Sequence, residues 1–340
     1  MAIVASDLSS VRATLRPRQS WQLAMKSAIR DPSELCRELS LPAELASEMA
    51  AASFRLFAPR GYVAKMVPGD PHDPLLLQVL PRAAETEDKQ GFMKDPVGDL
   101  SASLAPGLIH KYYGRVLLVA TGACAIHCRY CFRRHFPYET APRTLEAWRP
   151  AIQRIADDNS VEEVILSGGD PLTLVDSLLA QLVVELERIS QLKRLRVHTR
   201  LPVVVPERVT DELLGWLTGS RLAPIVVIHA NHPREVDGEV AIALTKLIRA
   251  GVPVLNQAVL LRGVNDDVES LVELSRALVD LRVMPYYLHQ LDRVAGAEHF
   301  EVPVERGLEL IEQLRSRLPG YAVPRYVQEI AGASNKRVLA

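Results

Sequence analysis

A chain of 340 residues that is 48% hydrophobic can bury a large core, and an α/β barrel of this length commonly forms one domain with appendages. With 40 lysines and arginines against 41 acidic residues the net charge is -1, which excludes an overall field for nucleic acid or anionic lipid and favours small, local partners. No apolar run approaches the ~20 residues of a membrane helix, and the opening Met1-Ala-Ile-Val-Ala-Ser-Asp7 lacks the charged-then-apolar order of a signal peptide, so a soluble, cytoplasmic protein is expected. The acid-poor leader carries Arg12, Arg16 and Arg18, a composition shared by organelle transit peptides and by plain basic surface. Residues 1–105 read as an N-terminal helical cap with an extended arm. Helices are expected near 20–30, 33–39 and 42–51, ahead of a Pro- and Gly-rich stretch from Phe57 to Pro106. Cys36 follows the helical start Asp31-Pro32 and is expected to be a small buried apolar group.

From 106 to 300 the pattern becomes apolar strand-like runs separated by helix-period segments, the mark of parallel βα units. Six runs are rich in Val, Ile and Leu, as strands covered on both faces should be: Val116–Ala120, Val161–Leu166, Leu195–Thr199, Pro224–His229, Pro253–Leu260 and Val283–Leu288. Between the second and third, Leu178, Leu179, Leu182, Val183, Leu186 and Ile189 repeat at helical spacing. The fold expected is α/β, a partial (βα)6 barrel of the TIM type, with residues 301–340 forming a C-terminal helix and a short terminal segment. In such barrels the polar residues that do chemistry gather where strands end. Ser167-Gly-Gly-Asp170, His198 and Arg200, and His229 to His232 stand at expected strand ends, with Asn256 and Gln257 on the fifth strand and Asp292 after the sixth, more polar groups than core packing requires.

Three of the four cysteines fall within eight residues, after the first run: Cys124-Ala-Ile-His-Cys128-Arg-Tyr-Cys131. Three thiolates on one tight loop can hold three irons of a four-iron cluster and leave the fourth open to a reactant. His135 would complete a Cys3His set for zinc, so a zinc-binding interaction protein stays open as an alternative. Arg129, Arg133 and Arg134 add positive charge that favours thiolates over inert buried thiols.

The cysteine spacing, with Tyr130 before the last cysteine, resembles the cluster motif of the radical S-adenosylmethionine superfamily, and Ser167, Gly168, Gly169 and Asp170 resemble the glycine-rich motif that holds the amino group of S-adenosylmethionine. Together with His198-Thr-Arg200, His232-Pro-Arg-Glu235, Asn256 to Asp266, Glu298-His-Phe300 and Gly69 to Pro74, these residues resemble the lysine 2,3-aminomutase family over most of the chain. The resemblance implies a [4Fe-4S] cluster on Cys124, Cys128 and Cys131, S-adenosylmethionine, and pyridoxal 5'-phosphate carried by Lys336. It implies Lys111, Tyr112 and Arg115 for ring and phosphate contacts, His229 and Gln257 as further cofactor contacts, Arg133 for the substrate carboxylate, and Asp292 and Glu329 for the ε-ammonium. Lys111 stands where the long catabolic enzymes have arginine, Glu329 where they have aspartate, and Gly332-Ala-Ser-Asn replaces their glycine run before the lysine. These departures resemble the shorter relatives that make β-lysine for modification of translation elongation factor P.

The implied reaction is isomerisation of L-α-lysine to β-lysine, in the R form, by 1,2-amino migration, with electrons from a donor such as flavodoxin or ferredoxin. A lysine substrate carries a carboxylate and an ε-ammonium, which an arginine and paired carboxylates complement. A catabolic aminomutase acting on free lysine, and a radical enzyme without pyridoxal phosphate, remain alternatives. A homo-oligomer is compatible with the sequence.

Overall fold

The computed structural model describes residues 20–340. The basic leader with Arg12, Arg16 and Arg18 lies outside the described residues.

Local capping chemistry sets the helices of the cap. Ser20 accepts from the Leu23 amide and starts Trp21–Lys26, and Asp31 with Pro32 starts Pro32–Glu38. The single helix expected over 42–51 is instead a 3-10 turn, Ala43–Leu45, and a separate helix, Glu48–Ser53. Ser47 is extended and caps Ala50, so it begins a new helix where the spacing alone reads as one.

Ten strands form one sheet in sequential order: β1 Ser103–Ala105, β2 Leu108–Tyr112, β3 Arg115–Thr121, β4 Glu163–Gly168, β5 Arg194–Thr199, β6 Ala223–His229, β7 Val254–Val259, β8 Met284–His289, β9 Arg325–Gln328 and β10 Arg337–Val338. From β3 to β9 every pair is parallel, while β1, β2 and β10 add antiparallel at the two ends. The six expected runs are β3 to β8. The sheet curls as a partial barrel with open edges at β1 and β10.

Helices cross between the parallel strands, each laying an apolar stripe on the sheet. In Asp176–Glu187 the buried side chains are Leu179, Leu182, Val183 and Leu186, the stripe read from the sequence. Trp21, Leu35, Tyr62 and Leu75 of the cap share one apolar core with Leu166, Val197 and Ile228 of the barrel. A second cluster, with Leu288, Leu310, Ile311 and Tyr326, seats the C-terminal helix Val304–Arg317 under β8 and β9. Among the described residues no helix is long and apolar enough to cross a membrane.

Candidate active site

The strand ends bring the polar residues to one mouth. Cys124, Cys128 and Cys131 lie on the loop that leaves β3, all half-buried and free of disulfides. Burial pushes the Cys124 thiol well up and the Cys131 thiol to about 11, the second also raised by its neighbour Cys128. Metal ligation deprotonates such thiols and offsets that cost.

The arginines divide differently from their spacing in sequence. Arg129 and Arg134 pair with the buried Glu85, at 2.8 Å from Arg129 Nε and 2.9 Å from Arg134 Nη2. The guanidinium that reaches a thiol is Arg200, whose Nη1 lies 2.7 Å from Cys128 Sγ. His135 presents Nε2 to the Ala295 carbonyl at 3.0 Å. No three His, Cys, Asp or Glu side chains among the described residues converge on a single-ion site. Corner ligands of a four-iron cube each bond a different iron and need no such convergence.

Ser167, Gly168 and Gly169 run from the end of β4 against the start of the cysteine loop. Gly168 has φ +111, and a Cβ on Gly169 would lie 2.3 Å from the Ala123 carbonyl oxygen, so only glycine lets the two loops meet. Tyr138 Oη donates to the Gly168 carbonyl at 2.7 Å. Asp170, the candidate contact, is engaged within the protein. Its carboxylate accepts from the Leu172, Arg200 and Leu201 amides and from Thr199 Oγ1, which ties this turn to the end of β5.

On the other side of the mouth, Lys336 pairs with Glu329 across the β9–β10 hairpin, and Tyr112 Oη donates to Glu329 at 2.6 Å. Burial would raise the Glu329 carboxyl, but Lys336 and the hydrogen bonds outweigh it and hold it below its ordinary value. No cation among the described residues contacts Asp292, and burial pushes it up to about 7, with Lys336 pulling down and Glu329 pushing up. Arg115 stacks its guanidinium on the Tyr112 ring, 4.7 Å from the centroid.

Asp99, which sequence reasoning did not single out, joins the two sides. It pairs with Lys111 Nζ at 2.6 Å and Arg133 Nε at 2.6 Å, and Arg133 Nη1 reaches Ser167 Oγ at 3.3 Å. Lys111 also stands 3.6 Å from Glu329. A charged chain thus runs Lys336, Glu329, Lys111, Asp99, Arg133, Ser167, from the C-terminal hairpin to the glycine loop. Asp99 sits in a Pro- and Gly-rich stretch with no periodic signal, and only the fold brings it to Arg133.

Neutral imidazoles line the remaining wall. His229 shares a 3.0 Å hydrogen bond with Tyr130 Oη, and burial lowers both His229 and His289 to about 3. His198 is lowered by burial first and then by nearby cations, and its buried Nε2 has no partner among the described residues. Gln257 lies beside His229 in the β6–β7 register.

These residues fit the implied groups. The thiol loop with a guanidinium at one sulfur suits a cluster, the close-packed glycines suit a small ligand laid on backbone, and the Lys336 amine beside the Tyr112–Arg115 stack and the unpartnered His198 suits an aromatic, anionic cofactor.

Residues 118–275 match the Radical SAM superfamily. The chain is similar to the L-lysine 2,3-aminomutase of Haemophilus influenzae, 44% identical over 328 residues that cover 96% of this chain and 97% of that protein. It is also similar to the L-lysine 2,3-aminomutase of Escherichia coli, 44% identical over 325 residues, 95% of each chain. To that of Clostridium subterminale the identity is 38% over 320 residues, 93% of this chain and 76% of the relative.

Proposed function

Because this chain belongs to the lysine 2,3-aminomutase family of radical S-adenosylmethionine enzymes, we propose that it isomerises L-lysine to β-lysine by 1,2-amino migration. The observation that carries this reading is the charged chain from Lys336 to Ser167, which sets a candidate cofactor lysine, two carboxylates and an arginine around the mouth that holds the cysteine loop.

Cys124, Cys128 and Cys131 would hold the four-iron cluster, Ser167, Gly168 and Gly169 the S-adenosylmethionine, and Lys336, with Tyr112, Arg115, Lys111, His229 and Gln257 around it, pyridoxal phosphate. When bound, these groups supply one-electron hydrogen abstraction and a π system able to hold an unpaired electron. Arg133 receives the substrate carboxylate, with Asp99 fixing its orientation. Asp292 and Glu329 hold the ε-ammonium, and their paired negative charge rejects a side chain that ends in a carboxylate. Asp170 steadies the glycine turn through its four donors. Neutral His198, His229 and His289 line the mouth without adding charge that would compete for the substrate. In this reading residues 1–105 form the cap, 106–300 the core and 301–340 the segment that delivers Lys336. The electron donor is a small low-potential protein such as flavodoxin or ferredoxin.

The product is assigned to modification of translation elongation factor P, in the R form. This finer reading is supported by the Gly332-Ala-Ser-Asn335 approach to Lys336, which resembles that of the shorter relatives.

Purified, anaerobically reduced protein supplied with iron, sulfide, S-adenosylmethionine and pyridoxal phosphate is expected to convert lysine to β-lysine, read by mass spectrometry, and to leave glutamate untouched. Borohydride reduction followed by peptide mapping should place the pyridoxyl label on Lys336, and Lys336→Ala should lose it while keeping the cluster absorbance. A label on another lysine, or turnover of glutamate, defeats the assignment. Chiral derivatisation of the product tests the R form, and loss of the β-lysyl mass from elongation factor P in a deletion strain tests the cellular role.

A further inference from the structure

Arg200 follows β5 and is buried, and beyond its contact with Cys128 the proposed reaction gives it no role. One end of its guanidinium is fully committed: Nη2 lies 2.8 Å from Glu235 Oε2, 2.7 Å from Gln78 Oε1 and 3.3 Å from Tyr62 Oη. Its backbone amide is held by Asp170 at 2.7 Å, and its plane lies over the rings of Tyr62 and Tyr130. Glu235 is in turn fixed by the Asn231 amide at 2.9 Å, the His232 amide at 3.1 Å and Gln78 Nε2 at 3.2 Å. A side chain gripped on so many sides has little freedom left. What it presents is Nη1, 2.7 Å from Cys128 Sγ, with Nε–H buried and without an acceptor among the described residues.

We propose that Arg200 is a positioning residue that donates a charged hydrogen bond to the Cys128 ligand of the cluster and thereby sets its reduction potential, with Glu235 as the counter-charge that tempers it. The inference rests on the cluster assignment above. A cation and a donor at a ligand sulfur draw electron density from the cluster and favour the reduced form, whose extra electron they stabilise. A carboxylate behind that cation acts in the opposite sense. The competing account is that Arg200 only ties the cap, through Gln78, to the barrel, through Glu235. That account predicts changes in stability and none in potential.

The two charges therefore give opposite signs. In cluster-loaded full-length protein, Arg200→Gln is expected to lower the midpoint potential, making the reduced-to-oxidised ratio at a fixed applied potential about tenfold smaller, which is about 59 mV for one electron. Arg200→Lys, which keeps the charge and loses the fixed fork, falls between. Glu235→Gln is expected to raise the potential. Spectroelectrochemistry with electron paramagnetic resonance of the reduced cluster reads all four proteins, and iron and sulfide content confirms equal loading. Unchanged potentials in loaded variants, or shifts of the same sign for Arg200→Gln and Glu235→Gln, overturn the inference. Should Arg200→Gln hold no cluster, Glu235→Gln carries the test, since the donor stays in place. Wild-type protein without a four-iron spectrum would instead defeat the cluster assignment itself.

Discussion

Asp292 is a carboxyl whose usefulness depends on its charge, and its surroundings place the titration near neutrality. Burial raises it to about 7, although Lys336 draws it down. That value belongs to the protein with a free Lys336 amine; tying the amine up removes a cation, so the working value lies at or above about 7. Below it Asp292 is neutral and cannot hold an ε-ammonium, and above it the charge is present. The kcat/KM for lysine should therefore rise with pH through about 7 or slightly higher and then level, since this ratio reports groups of the free enzyme. Asp292→Asn should lose that rising limb and fall about a hundredfold or more at the plateau, the scale for removing one partner of a desolvated charge pair. A pH profile unchanged by the substitution would assign the ammonium to Glu329 alone. In the protein with a free Lys336 amine, Lys336 and Tyr112 hold the Glu329 carboxyl below the ordinary range, and Glu329 too loses the Lys336 contribution once that amine is tied up.

A helix glycine shows how one element places another. Gly307 lies within Val304–Arg317, where replacement by alanine usually gains about 1 kcal/mol of helix propensity. Here a Cβ would fall 2.2 Å from Tyr326 Oη, and Tyr326 is fully buried on β9 with its hydroxyl bonded to Gln290. Overpacking of this kind costs about 1–3 kcal/mol, so the loss outweighs the gain. Gly307→Ala should lower the melting temperature and, by displacing the strand that leads to Glu329 and Lys336, weaken pyridoxal phosphate binding while iron content holds. A raised melting temperature would show that propensity wins and that the fit is loose. The helices were legible because their stripes are long; Leu179, Leu182, Val183 and Leu186 leave little choice of period. The strands β9 and β10 were not, since four and two residues carry no periodicity, and their place follows from pairing with β8 and with each other. Ser47 likewise splits an expected helix through a capping bond that spacing does not reveal.

At the scale of the whole molecule, what sequence reading missed is a set of long-range charge pairs. The cysteine spacing and the polar strand ends are local patterns, whereas Asp99 with Arg133, Arg200 with Cys128, and Glu85 with Arg129 and Arg134 meet only because the cap folds over the barrel mouth. Glu85 matters most for that closure. It stands on the 3-10 turn Ala83–Thr86, holds the Arg82 amide at 3.0 Å, and receives two guanidiniums from the cysteine loop, with all three charged side chains no more than 1% exposed. Removing the carboxylate leaves two buried cations without a counter-charge, a change of about 3–5 kcal/mol. By contrast Glu146 and Arg149 form a pair with side chains 76% and 72% exposed, worth at most about 1 kcal/mol. Glu85→Ala should therefore lower the thermal midpoint clearly and reduce cluster retention, though Glu85 touches no cysteine, while Glu146→Ala should leave both within error. Calorimetry and iron content on the two variants measure the difference. Equal effects would mean that the cap is held by its apolar core alone and that the Glu85 pair adds no net stability; a large loss confined to Glu85→Ala would make this clamp the link through which cap closure and the cysteine loop stand or fall together.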